Sequence, residues 1–160
     1  MDESKTLFIS HATPEDNQFV LWIALRLMSL GYKVWCDLLN LSKGGDFWKE
    51  IEVQIRTQTC KFLLVQSVSS NSRDGVAKEI AVAQKVGKVR GDANFIIPLR
   101  IDNNLSYDDI NVDLIRLNSI DFTNSWADGL KELMEALQKQ KCPKSGEDIV
   151  SHVILSRLTN

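Results

Sequence analysis

The chain has 160 residues, of which 44% are hydrophobic and 25% charged, with a formal net charge of −2. That length suits one domain of the usual ~100–150 residues, and the composition is that of a globular protein with a buried core. The slight negative charge excludes a basic field able to grip a nucleic-acid backbone unaided. No apolar run approaches the ~18 residues of a membrane span, and the amino end, MDESKTLFIS, lacks the charged region and long apolar stretch of a secretory leader. The expected location is cytoplasmic. Three cysteines, Cys36, Cys60 and Cys142, are odd in number and widely spaced, which reads as reduced core thiols.

Short β-rich runs alternate with longer helical ones. TLFISH (Thr6–His11) is a near-continuous apolar run, as expected of a strand covered on both faces. TPED then reads as a helix start, with Thr13 as N-cap, Pro14 in the first helical position and Glu15 and Asp16 in the first turn. Phe19, Trp22, Ile23, Leu27 and Leu30 carry the helical period, and Gly31 stops the helix. KVWCD (Lys33–Asp37) is the second expected strand, LLNLSKGG a loop, and Asp46 a cap for a helix whose apolar face holds Trp48, Ile51 and Ile55.

CKFLLVQS (Cys60–Ser67) is the third expected strand, followed by a polar loop and the helix in RDGVAKEIAVAQKVGK (Arg73–Lys88). NFIIPLRI (Asn94–Ile101) is the fourth; its Pro98 lacks a ladder donor and points to a place near an edge or a bulge. A short acidic helix (Tyr107–Arg116), a brief fifth strand (Ser119–Phe122) and a helix with Trp126, Leu130, Leu133, Met134 and Leu137 on one stripe complete the pattern. This β-α alternation predicts an α/β, flavodoxin-like fold, with a five-stranded parallel sheet of order 2-1-3-4-5 and helices on both faces. Such sheets bind ligands beyond the carboxyl ends of their strands. Three loops converge there: His11–Pro14, Asp37–Asp46 and Ser67–Asp74. After Gln140 the pattern breaks, and 141–160 reads as a linker and the start of a further domain.

No G-x-x-x-x-G-K-[ST] loop, G-x-G-x-x-G turn or G-x-S-x-G elbow is present, and the two histidines lack metal-ligand spacing. Most nucleotide-switch, metal and acyl-transfer chemistries are thereby set aside. Several residues at the expected ligand edge carry both a functional and a plainer reading. Glu79 falls about 60° from Val76 on a helix turning 100° per residue, at the margin of an apolar stripe of Val76, Ile80, Ala83 and Gly87; it either snorkels, pairs with an Arg or Lys, or faces a cleft. Asp37 either contacts a ligand or organises a turn, and His11 either contacts a ligand or caps or packs. Phe47 and Trp48 either flank a flat ligand or, for Trp48, pack in the core. Ser67, Ser69 and Ser70 suit phosphate or ribose but equally suit solvent.

Taken together these residues resemble a TIR domain: LFISHATPED, GYKVWCDLLNLSKGGDFWKEIE, CKFLLVQSVSSNS and GVAKEIAVA occur in the family's order, over about Lys5 to Lys139. More narrowly, SHATPED, GYKVWCD, FWKEIE, SYDDIN and the tail beyond Gln140 resemble the TIR portion of the TIR-APAZ proteins that accompany short prokaryotic Argonautes. The resemblance implies a TIR domain over 1–140 and, over 141–160, the beginning of an APAZ-like domain.

It also implies an activity. Enzymatic TIR domains cleave the nicotinamide–ribose bond of NAD+, a substrate and not a resident cofactor, and their required glutamate matches Glu79. His11, Ala12, Thr13, Asp37, Phe47, Trp48 and Ser67 are the implied ligand contacts, and no metal is expected. Leu38–Asp46 corresponds to the family's assembly loop, which inserts into a neighbouring TIR domain and helps complete its site. In the Argonaute-linked subgroup the partner recognises nucleic acid, the TIR domains associate, and NAD+ is depleted. One departure stands out: Gly75 occupies the position at which many enzymatic TIR domains carry a tryptophan bordering the ligand.

Overall fold

The computed structural model describes residues 4–40 and 47–144. In chain order the elements are β1 (Thr6–Ser10), α1 (Asn17–Ser29), β2 (Lys33–Trp35), α2 (Asp37–Asn40), α3 (Phe47–Thr57), β3 (Thr59–Gln66), α4 (Val68–Asn71) and α5 (Asp74–Arg90). They continue through β4 (Ile96–Arg100), a 3-10 turn (Tyr107–Asp109), α6 (Val112–Ile115), β5 (Ile120–Asp121) and α7 (Trp126–Lys139). The strands pair in parallel in the order β2-β1-β3-β4-β5. This is the flavodoxin-like arrangement expected from the alternation, with β1 and β3 at its centre.

The pleat sends alternate residues to opposite faces, and each face has its own core. Leu7, Ile9, Leu63, Val65, Ile97 and Leu99 meet α1 and α7 through Phe19, Ile23, Leu27, Leu133 and Leu137. Phe8, Phe62, Leu64 and Ile96 meet α3, α5 and α6 through Ile55, Val76, Ala83, Val86 and Leu114. On this second face register makes an aromatic ladder. Phe8 pairs with Trp35 on β2 and Phe62 on β3, and its ring stacks on both, with centroids 4.7 and 5.2 Å apart.

On the first face Phe19 meets Phe122 and Trp126 edge-on, at 5.1 and 5.2 Å. Phe122 can lie flat against α7 because residue 129 is glycine: a Cβ there would fall 2.4 Å from the Phe122 ring.

Several boundaries differ from the sequence reading, each for a local reason. α1 begins at Asn17, not after Thr13: residues 13–16 form a turn closed by Asp16 N–H to Ala12 O (3.0 Å) and Asn17 N–H to Pro14 O (3.2 Å). β2 ends at Trp35, because Asp37 starts the helical turn α2 and leaves the ladder. Leu38 to Asn40 therefore extend a helix where a loop was expected, and the rest of that stretch, with Asp46, lies outside the described residues. The acidic segment splits into the 3-10 turn and α6, where the Asn111 side chain accepts from Asp113 N–H at 2.9 Å.

Pro98 pairs with Leu64 of β3, while pairing to β5 begins only at Leu99. Its missing donor is thus tolerated beside an effectively open edge. Gly31 ends α1 with φ of 96°, a left-handed conformation that favours glycine.

Candidate functional site

Three elements end together at the carboxyl edge of the sheet. β1 finishes at Ser10, a hydroxyl after the apolar run Leu7–Ile9, and the chain turns through His11 and Thr13. β2 runs out into Asp37. α5 starts near the same edge and carries Glu79 in its second turn, between the core residues Val76 and Val82.

The Glu79 side chain points to β1, and the Ser10 Oγ–H donates to its Oε1 at 2.6 Å. Burial pushes the Glu79 carboxyl up to about 8; the Ser10 hydrogen bond opposes the rise and the negative charge of Asp37 adds to it. The misfit of helix geometry is therefore a partly buried carboxyl held inward against a strand end.

His11 is almost wholly buried, its side chain 1% exposed. Its Nε2 lies 3.0 Å from Asn17 Oδ1 and 3.2 Å from Thr13 Oγ1, which fixes the ring and turns Nδ1 toward Asp37. Nδ1 and Asp37 Oδ1 are 3.6 Å apart. That is too far for a hydrogen bond, and both atoms are buried without a partner among the described residues. Unpartnered buried polar atoms are costly, and these two face each other at the carboxyl edge of the sheet.

A second hydrogen-bonded group borders this one. The Ser67 Oγ–H donates to Asp16 Oδ2 at 2.6 Å, while the same oxygen accepts from Ser70 N–H at 3.0 Å and caps α4. Desolvation raises the Asp16 carboxyl despite the Ser67 bond. Arg73 ties the edge together, donating to the Thr13 carbonyl at 3.0 Å and to Glu15.

Of the expected contacts, the structure thus brings His11, Thr13, Asp37 and Glu79 into one group. Ala12 is buried and engages its carbonyl in the turn before α1. Ser67 reaches the neighbouring group, its hydroxyl committed to Asp16 and the cap. Phe47 and Trp48 open α3 with exposures of 47% and 36%, so Trp48 is not the core residue its helical spacing allows. Position 75 is open: a Cβ on Gly75 would meet nothing within 4 Å.

Ser10, Asp16 and Asn17 were not singled out from the sequence as site residues. The signal for Ser10 was available, as a hydroxyl at the ligand end of a fully buried strand. Asp16 and Asn17 are recognisable only once the chain is folded.

A depression of about 780 Å³ lies elsewhere, between α5 and α6, and is lined by Gln84, Lys88, Phe95 and Leu114 among others. The Ser10–His11–Asp37–Glu79 group combines burial, unpartnered polar atoms and a raised carboxyl. Among the described residues no group of three or more His, Cys, Asp or Glu side chains is placed to hold a metal, and no helix is long and apolar enough to cross a membrane.

The fold is shared with TIR domains from distant sources. The TIR domains of the activated Roq1 resistosome, which directly recognises the pathogen effector XopQ, superpose with a TM-score of 0.64 at 14% identity, covering 84% of this chain and 99% of that one. The TIR domain of the Toll-related receptor TRR-2 from Hydra magnipapillata gives the same score and identity, covering 84% and 98%. In sequence, the uncharacterized protein y4cD of Sinorhizobium fredii is 33% identical over 146 residues; the match covers 91% of this chain and 22% of that protein, so the chain spans about a fifth of its relative's length. The TIR-domain family model matches residues 7–134, from the first residues of β1 into α7, and the chain belongs to the TIR-domain family.

Proposed function

We propose that the chain is a TIR NAD+ glycohydrolase that acts when copies associate. The observation that carries this reading is the Glu79 carboxyl, held by Ser10 at the carboxyl edge of the sheet beside the unpartnered His11–Asp37 pair. Cleavage of NAD+ breaks the bond between the ribose anomeric carbon and the pyridinium nitrogen. The electron pair leaves with the nitrogen, giving neutral nicotinamide, and positive charge passes to the ribose. Water then adds to that carbon and loses a proton, giving ADP-ribose; capture by a group of the same nucleotide gives a cyclic isomer.

A carboxylate beside the ribose stabilises the charge that develops, and it needs to be in place beforehand. Glu79 fits that role. At rest its raised pKa, about 8, keeps it mostly protonated near neutrality, and the cationic pyridinium ring of a bound NAD+ favours the ionised form. His11 Nδ1 and Asp37 Oδ1 are suited to ribose hydroxyls, with Thr13 alongside. Ala12 and Ser67 support the turn and α4 that border the site, and the exposed Phe47 and Trp48 rings are available to the nicotinamide or adenine, of the same copy or of a neighbour.

Assembly belongs to the proposal. The single chain presents no aromatic surface at position 75, so a neighbour's contribution through Leu38–Asp46 is the natural completion. Copies tethered on vesicles or fused to an oligomerising scaffold are expected to release nicotinamide at least tenfold faster per chain than the dilute protein. Equal specific rates at nanomolar and clustered concentrations would rule the composite site out.

The wider setting is a cytoplasmic defence system in which a short Argonaute partner, reading guide and target nucleic acid, brings the TIR domains together. On this proposal 141–160 are the passage into a further, APAZ-like domain that would contact that partner.

The second reading is a non-catalytic TIR module that assembles and signals, and Gly75 favours it. Gly75→Trp separates the two. Open space at this position and the ~0.5–1 kcal/mol cost of glycine in a helix predict a variant at least as stable as the parent. On the enzymatic reading its KM for NAD+ falls severalfold. A clustered Gly75→Trp protein with no turnover at all would support the assembly module.

A further inference from the structure

Far from this edge, at the amino-terminal side of the sheet, two thiols meet. Cys60 is the second residue of β3, and Cys142 follows α7, with 82 positions between them. The chain reverses after α7 through Lys141, whose φ is 57°. Cys142 N–H then bonds to Leu137 O at 2.9 Å, which directs its side chain back toward the sheet. The Sγ atoms lie 2.7 Å apart, with Cys142 donating to Cys60 and no disulfide joining them.

The surroundings hold both partners in place. The Lys61 ammonium donates to Asp92 Oδ2 (2.7 Å), to Asn94 O (3.2 Å) and to Gln140 Oε1 (3.3 Å), so the residue after Cys60 clasps the segment that carries Cys142. Tyr32 packs in the same core cluster. Cys142 is buried and Cys60 is half-buried, so a small oxidant reaches Cys60 first. The hydrogen bond to Cys60 and burial both hold the Cys142 thiol protonated. Cys36 follows β2 and is fully buried.

We propose that Cys60 and Cys142 are a modification site: a dithiol that a low-molecular-weight disulfide such as oxidised glutathione converts to an intramolecular disulfide. The Cys60 thiolate attacks the glutathione disulfide and releases one glutathione thiolate, leaving a mixed disulfide. Cys142 then attacks the Cys60 sulfur and releases the second. The protein loses two electrons and two protons, and the oxidised glutathione becomes two molecules of the reduced form. The new bond pins the segment after α7 to the start of β3, and with it the point from which residues 145–160 continue. This is independent of any reaction at Glu79.

The test uses the full 160-residue chain in oxidised and in reduced glutathione buffers. Of its three cysteines, thiol titration of the denatured oxidised protein is expected to find one, and peptide mapping to find a Cys60–Cys142 crosslink. A crosslink spanning this much chain constrains the unfolded state and is expected to raise Tm by about 5–10 °C, reversibly with dithiothreitol. Cys36→Ser should behave as the parent. Cys142→Ser should take one glutathione onto Cys60 and show no rise in Tm. Three titratable thiols after oxidation, a crosslink to Cys36, or a stable mixed disulfide on the unaltered chain would each overturn the proposal.

Discussion

Glu79→Gln is expected to lower nicotinamide release from NAD+ by about 10²–10⁴-fold in the clustered protein, with the fold intact. Glutamine keeps the length of the side chain and an oxygen able to accept from Ser10 Oγ, which is 2.6 Å from Glu79 Oε1. It removes only the negative charge. If that charge stabilises a ribose-centred cation, its loss corresponds to roughly 3–5 kcal/mol of transition-state free energy, at about 1.4 kcal/mol per tenfold change in rate. The loss should appear in kcat more than in KM, because the charge on the ribose exists only in the transition state.

Misfolding is not a rival explanation here. A neutral amide bears no ionisation cost in a desolvated position, so the variant should melt at or above the parent temperature at pH 8. Activity within threefold of the parent, from protein of equal Tm, would remove Glu79 from the catalytic role and leave the assembly reading in possession.

Much of the fold was open to a reader of the sequence because its strongest signals are local. TLFIS is a buried central strand and reads as one, since both of its faces are covered. The α7 stripe is equally plain: Leu133 and Leu137 are fully buried, and Ser125 caps the helix by accepting from Asp128 N–H at 3.2 Å. The errors arise where a distant partner overrides a local preference. Asp16 looks like a first-turn acid, but its carboxylate takes the Ser67 hydroxyl 51 positions away, and the helix begins only after it. Trp48 has the spacing of a core residue with Ile51 and Ile55, yet of these only Ile55 is fully buried.

The site follows the same division. Helix geometry placed Glu79 at the margin of an apolar face and could say no more. What turns that margin into a chemical environment is Ser10, 69 positions earlier, and Asp37, on a third element. The pairing of His11 with Asn17 and Thr13 is close in sequence, but its consequence, an imidazole nitrogen facing Asp37 across 3.6 Å, depends on β1 and β2 lying side by side.

Acidity should show in both rate and stability, with opposite signs. The Glu79 carboxyl is raised from 4.5 to about 8 in the folded chain, chiefly by burial. Between those values the native state holds a proton that the unfolded state has lost. Its contribution to stability is therefore complete below about pH 4.5 and is lost as pH rises toward and through 8, with a total on the order of a few kcal/mol. Catalysis by the carboxylate runs the other way. The ionised fraction grows about tenfold per pH unit below 8, so kcat/KM at low substrate should rise steeply from pH 6 and level off near pH 8 to 9.

The neighbours set the direction in which this profile moves. Ser10→Ala removes the bond that lowers the Glu79 value and should carry the profile to higher pH. Asp37→Asn removes the charge that raises it and should carry the profile to lower pH, whatever it does to the maximal rate. Glu79→Gln should abolish the Glu79 part of the stability slope. The measurement is nicotinamide release across pH 5.5–9.5, together with thermal unfolding at the same points. A flat rate profile, or shifts of the same sign for Ser10→Ala and Asp37→Asn, would mean that the group titrating in the reaction is not the carboxyl held between β1 and α5.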